Sequence, residues 1–119
     1  MELIELSQQI QDKIRTLELM RAELKNRATE KARSKASYER EVAITIVKLR
    51  NGVKMNIGGQ EIENPPASVT EKIARGICWE ECLAMDESDG LYKSLIVNLQ
   101  VVQAELNGLQ SINRFLKEN

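Results

Sequence analysis

Between Glu2 and Asn51 the chain contains neither glycine nor proline, and this run of fifty residues restricts the fold more than any other feature. Apolar side chains recur within it at alternating three- and four-residue steps, at Leu3, Leu6, Ile10, Leu17, Met20 and Leu24. Lys13 stands where one more apolar residue is due. Such spacing is a heptad seam, the pattern of a helix that packs along another helix. Beyond Leu24 the stripe narrows to Ala28, Ala32 and Ala36 and widens again at Ala43, Ile46 and Leu49. The expectation is one helix from about Glu2 to about Arg50, with room for a kink in its Arg/Lys-rich middle and with alanines that let a second helix approach closely.

Asn51-Gly52 ends that helix, because glycine accepts the left-handed conformation in which helices commonly stop. Val53, Met55 and Ile57 then alternate, Gly58-Gly59 reads as a turn, and Ile62 returns as a second short strand. Two small strands seldom stand alone, so they are expected to pack on the helices or to extend a sheet with another protomer. Asn64-Pro65-Pro66 is expected to hold the chain extended. Ser68-Val69-Thr70-Glu71 fits a capping box and predicts a short helix from Val69 to about Ala84, with Ile73, Ile77 and Leu83 on its apolar face. After a connection over Asp86 to Ser88, a last helix from about Asp89 to Leu116 carries Leu95, Leu99, Val102, Leu106, Leu109 and Leu116 on one seam, interrupted by Asn113. A single asparagine in such a seam sets register or partner number.

The fold class read from these patterns is mainly α. A long N-terminal helix (1–50) is followed by a hairpin or loop insertion (51–67) and a two-helix segment (68–119), within one elongated helical domain. Its architecture is expected to be an antiparallel, coiled-coil-like helical bundle completed by oligomerisation, since the two seams and the alanine run expose more apolar surface than one hairpin covers.

Histidine is absent, which removes the most common general base near neutral pH, and the carboxylates fall on solvated faces or in the cluster Glu80, Glu81, Asp86, Glu87 and Asp89. A non-enzymatic protein with no cofactor is expected. Cys78 and Cys82, four apart on a helix, read as free thiols packed beside Trp79; a zinc site needs about four ligands, and the chain has no others of thiol or imidazole type. No apolar run approaches the roughly 18 residues of a membrane span, and the first residues do not resemble a targeting signal. A cytoplasmic location with no membrane partner is the corresponding expectation.

The strongest functional pattern is basic. Arg27, Lys31, Lys35 and Tyr38 fall within about a quarter-turn of one another on an ideal helix. Three cations hold phosphates and a phenol ring stacks on a base, so the stripe is a candidate phosphate or nucleotide site, for a small nucleotide at a subunit interface or for single-stranded nucleic acid. The plainer alternative is a solvated face that pairs with the acidic cluster.

Four segments, Tyr38 to Gly52 (YEREVAITIVKLRNG), Glu71 to Gly76 (EKIARG), Leu91-Tyr92-Lys93 and Ala104 to Arg114 (AELNGLQSINR), resemble small uncharacterised early proteins of temperate phages and prophages of low-GC Gram-positive bacteria. The similarity covers most of residues 30 to 115. It implies a phage origin, hence the cytoplasm of an infected or lysogenic host, and it carries no site residues. For a small homo-oligomer of that origin two functions compete. One is counter-defence, by sequestering a nucleotide immune signal, as sponges against Thoeris and CBASS defence do, or by blocking a host protein. The other is an accessory role in phage recombination or replication, on single-stranded DNA or a DNA-bound partner. The mildly acidic balance of the whole chain, 18 acidic against 17 basic residues, weighs against general nucleic-acid binding.

Overall fold

The computed structural model describes residues 2–118. Its elements are helix α1 (Leu3–Arg50), strands β1 (Met55–Ile57) and β2 (Gln60–Ile62), helix α2 (Ala67–Ile77) and helix α3 (Trp79–Glu118). The long breaker-free run is thus continuously helical over 48 residues. The chain forms two compact units: one gathers the chain up to Ala28 and from Gly90 onward, the other is Thr29–Asp89.

In the first unit the N-terminal part of α1 runs antiparallel to the C-terminal part of α3, with Lys13 ion-paired to Glu105 and Leu3 and Ile10 on a groove shared with Asn113 and Lys117. Leu6, Leu17 and Leu106 form its buried core. The interruption of the seam at Lys13 is therefore answered by a carboxylate on the facing helix. Asn113 sits half-buried on the same covered face as the leucines of α3.

In the second unit α1 ends in a Schellman motif. Gly52, at φ 78°, donates its N–H to Leu49 O at 3.2 Å, and Val53 donates to Lys48 O at 3.0 Å. The hairpin follows in the expected place, with Met55 opposite Ile62 and Ile57 opposite Gln60. Gly58 (φ 57°) and Gly59 (φ 82°) both take positive φ, as a two-residue hairpin turn requires, and Asn56 Oδ1 accepts the Gly59 N–H at 3.0 Å. Strand β1 packs on α2, where Ile57 reaches so close to Gly76 that a Cβ there would lie 2.6 Å from Ile57 Cδ1. Glycine at 76 is the condition for that contact.

Four local expectations are corrected. The capping box at Ser68 does not form: the N-cap is Pro66 without a side-chain cap, Ser68 lies inside the helix, and Thr70 Oγ1 instead donates to Pro66 O at 3.1 Å. Asn64 is left-handed (φ 48°), not extended; asparagine tolerates this region better than other side-chain-bearing residues. The break between the last two helices falls at Cys78 (φ −90°, ψ 29°), and residues 86–88 are helical. Glu80 and Glu81 favour a helix start just after Cys78 through the dipole, whereas residues 86–88 contain neither glycine nor proline to stop a helix. Leu83 consequently belongs to α3 and is exposed.

The fourth correction concerns the middle of α1. Ala28, Ala32 and Ala36 are exposed, while Arg27, Lys31, Ser34 and Tyr38 are half-buried and Thr45 and Leu49 are buried. Steps of four residues advance about 40° around a helix each time, so a run of alanines at that spacing rotates off the covered face. The alternating three- and four-residue rhythm set by Leu17, Met20 and Leu24 continues instead through Arg27, Lys31, Ser34 and Tyr38.

Candidate functional site

The four residues of the basic stripe occupy the covered side of α1 or its margin. Arg27 lies in the first unit, and its Nε pairs with Glu23 Oε1 one turn earlier at 2.9 Å. The other three lie in the second unit. Lys31 Nζ is 3.1 Å from Asp89 Oδ1, and Lys31 and Lys35 line one cleft of about 230 Å³ with Met85, Asp86 and Asp89. Two acids of the cluster read from the sequence, Asp86 and Asp89, thus stand on the wall of the cleft that Lys31 and Lys35 line.

Tyr38 is half-buried against Cys82. Burial, then the neighbouring Cys82 thiol with its hydrogen bond, hold the phenol above its ordinary pKa of 10.0, and the Arg75 guanidinium opposes them. A phenol so held is neutral at physiological pH and engaged with Cys82 of the chain itself. Further along the same covered face, Thr45 Oγ1 and Cys78 Sγ are 3.4 Å apart and both residues are buried.

Lys31, Tyr38 and Thr45 stand seven residues apart on α1, and each meets a polar group of the Cys78–Asp89 segment: Asp89, Cys82 and Cys78 in turn. This ladder went unread in the sequence. Its signal was present in the unbroken three-four rhythm past Leu24, but the residues filling that rhythm are polar and the neighbouring alanines drew the seam to the wrong side. Chemically, the ladder favours one register between the Cys78–Asp89 segment and α1, because a shift by one turn would leave the buried Thr45 hydroxyl without its Cys78 partner.

The cysteines are free thiols, but Trp79 does not cover them, since the indole is exposed. Among the described residues no group of three or more His, Cys, Asp or Glu side chains gathers as a metal site, and no helix is long and apolar enough to cross a membrane.

The remaining feature is apolar. In the first unit ten large apolar side chains among the described residues are exposed, namely Leu3, Ile4, Ile14, Leu19, Leu91, Val97, Val101, Ile112, Phe115 and Leu116, against the three that form its buried core. Ile4 is 81% exposed, Leu19 67% and Phe115 65%. Scattered single apolar residues are normal on a protein surface, but their number here exceeds the core of the unit that carries them.

The segments Tyr38 to Gly52, Glu71 to Gly76, Leu91-Tyr92-Lys93 and Ala104 to Arg114 map onto the end of α1 with its glycine stop, the middle of α2 and two stretches of α3. No protein-family model matches the sequence, and neither a curated protein nor a solved structure matches the chain.

Proposed function

We propose that the chain is a non-enzymatic phage-encoded binding protein that works as a homo-oligomer and acts on its target by protein–protein contact, in the manner of a counter-defence protein that blocks a host protein. The observation that carries this reading is the excess of exposed over buried large apolar side chains in the first unit. Helices with this much uncovered apolar surface are completed by another protein surface, whether a second copy or a target. The helical bundle completed by oligomerisation, expected from the two seams, is part of the same proposal.

A nucleotide-sequestering function is the second reading, favoured by one observation: Lys31 and Lys35 do share a cleft. Its magnitude weighs against it. The cleft, at about 230 Å³, falls short of the roughly 300–1,000 Å³ typical of small-molecule sites, and Asp86 and Asp89 on its wall repel a phosphate. The same carboxylates disfavour single-stranded DNA along this stripe.

The discriminating experiment pairs light scattering with calorimetry. The expected result is a particle larger than one chain, no saturable heat with cyclic dinucleotides, cyclic trinucleotides, cyclic ADP-ribose isomers or single-stranded DNA, and stoichiometric capture of one host protein that Leu19→Glu abolishes. Saturable nucleotide binding that Lys31→Glu removes would replace this reading with the sponge. A strictly monomeric chain would end the oligomeric part of it.

A further inference from the structure

Between Ser94 and Asn113 helix α3 carries a single charged side chain, Glu105, and that one is ion-paired with Lys13. The leucine seam covers one side of the helix. A second three-four rhythm runs along the uncovered side, through Val97, Val101, Ala104, Gly108 and Phe115, all exposed. Gly90 and Ser94 begin it and Ser111 belongs to it. A solvent-facing helix side is ordinarily charged or polar, whereas the exposed stripe from Val97 through Val101 and Ala104 to Gly108 is apolar or small throughout.

The two glycines are a separate observation. Glycine in a helix interior weakens it relative to alanine, yet nothing in the chain lies within 4 Å of a Cβ built at Gly90 or at Gly108. Gly76, by contrast, is explained by Ile57. The contacts that would require Gly90 and Gly108 are not made within one chain.

We propose that a second copy of the chain docks on this side of α3, with the two α3 helices antiparallel about a two-fold axis near Val102 and Gln103. The large residues single out this register. Antiparallel pairing centred there sets Val97 against Gly108 of the second copy, Val101 against Ala104, and Phe115 against Gly90. Every large side chain meets a small one, and each contact is repeated by symmetry, as a two-fold interface requires. A parallel pair would set Phe115 on Phe115 and leave glycine opposite glycine. The absence of charge on this side also suits a second copy, which has no opposite charge to offer.

The contact runs over 26 residues, from Gly90 to Phe115, about 38 Å at the helical rise, and about 10 Å across. That is a flat footprint of about 400 Å² per copy, or about 800 Å² in total, which interdigitation raises toward the roughly 1,200 Å² at the lower end of stable interfaces. The dimer accordingly lies at the small end of two-fold interfaces.

This inference rests on the self-association proposed above and identifies its surface. Sedimentation of the full chain tests it. Wild type is expected to dimerise reversibly; Val101→Glu and Gly108→Ala each weaken the dimer by tenfold or more, with helical circular dichroism unchanged. Chains carrying Val97→Glu, mixed with chains carrying Gly108→Lys, are expected to associate more tightly than either alone, because only the antiparallel register brings those two positions together. Dimerisation of Val101→Glu as tight as wild type would overturn the proposed surface while leaving self-association standing, and failure of the mixture to associate would overturn the antiparallel register. A wild-type chain that stays monomeric at every concentration would remove self-association and this surface together.

Discussion

One substitution, glycine to alanine, is expected to act with opposite sign at two positions. Gly52 ends α1 at φ 78°, a conformation that costs a residue with a Cβ about 1–2 kcal/mol. The added methyl would also stand 3.2 Å from Asn64 Oδ1, a contact that the amide relieves by moving a few tenths of an ångström. Gly52→Ala should therefore lower the stability of the monomer by about 1–2 kcal/mol. Gly108 lies inside α3 with open space where its Cβ would be, so Gly108→Ala should raise monomer stability by about 0.8–1 kcal/mol through helix propensity alone. The two variants then differ by about 2–3 kcal/mol although the chemistry added is one methyl in each. Urea unfolding followed by circular dichroism, at a dilution where the chain is monomeric, measures both against wild type. If Gly52→Ala unfolds at the wild-type midpoint, the Schellman stop does not need its glycine. If Gly108→Ala is destabilised even as a monomer, the space around position 108 is not open. Raising the concentration reverses the second effect, since the same methyl weakens association.

Leu49 is 1% exposed, and Leu49→Ala should cost about 2–5 kcal/mol in a denaturant titration, whereas Val47→Ala, at an exposed position two residues earlier, should stay within about 0.5 kcal/mol. Lys31→Glu places a carboxylate against Asp89 and should destabilise by about 1 kcal/mol or less, both side chains being part-exposed; adding Asp89→Lys should recover most of the loss, and a double-mutant cycle reads the coupling. Tyr38 has its pKa raised by burial, so the unfolded chain releases that proton first as pH rises. Its contribution to stability is complete below pH 10 and is lost as pH climbs through the higher folded value. Tyr38→Phe should flatten the alkaline fall in stability, and the difference in phenolate absorbance between wild type and variant should show a late-titrating group. Equal alkaline profiles would mean that Tyr38 is not held against Cys82.

The residues that could be read in isolation are those whose effect is local. Gly52, Gly58 and Gly59 announced a helix stop and a hairpin turn because positive φ is a property of the residue itself, and two short strands formed on either side of the Gly58-Gly59 turn. The breaker-free run to Asn51 likewise became one helix, since propensity summed over so many residues leaves no competing local structure. The Ser68 cap and the 86–88 connection were also local inferences, but each was a weak preference: the helix starts after Pro66 instead, and the break falls at Cys78 because residues 86–88 contain no helix breaker.

The candidate site was legible as a set of residues and illegible as an environment. Sequence spacing placed Arg27, Lys31, Lys35 and Tyr38 near one face, but it carries no information about what lies across from them. The facing segment is 33 residues or more away in the chain, so only tertiary structure brought Asp89 to Lys31, Cys82 to Tyr38 and Cys78 to Thr45. Helix and hairpin were determined by the sequence because backbone preferences act over a few residues. The role of each side chain was decided by packing, because a lysine's charge has a different meaning opposite an aspartate than opposite water.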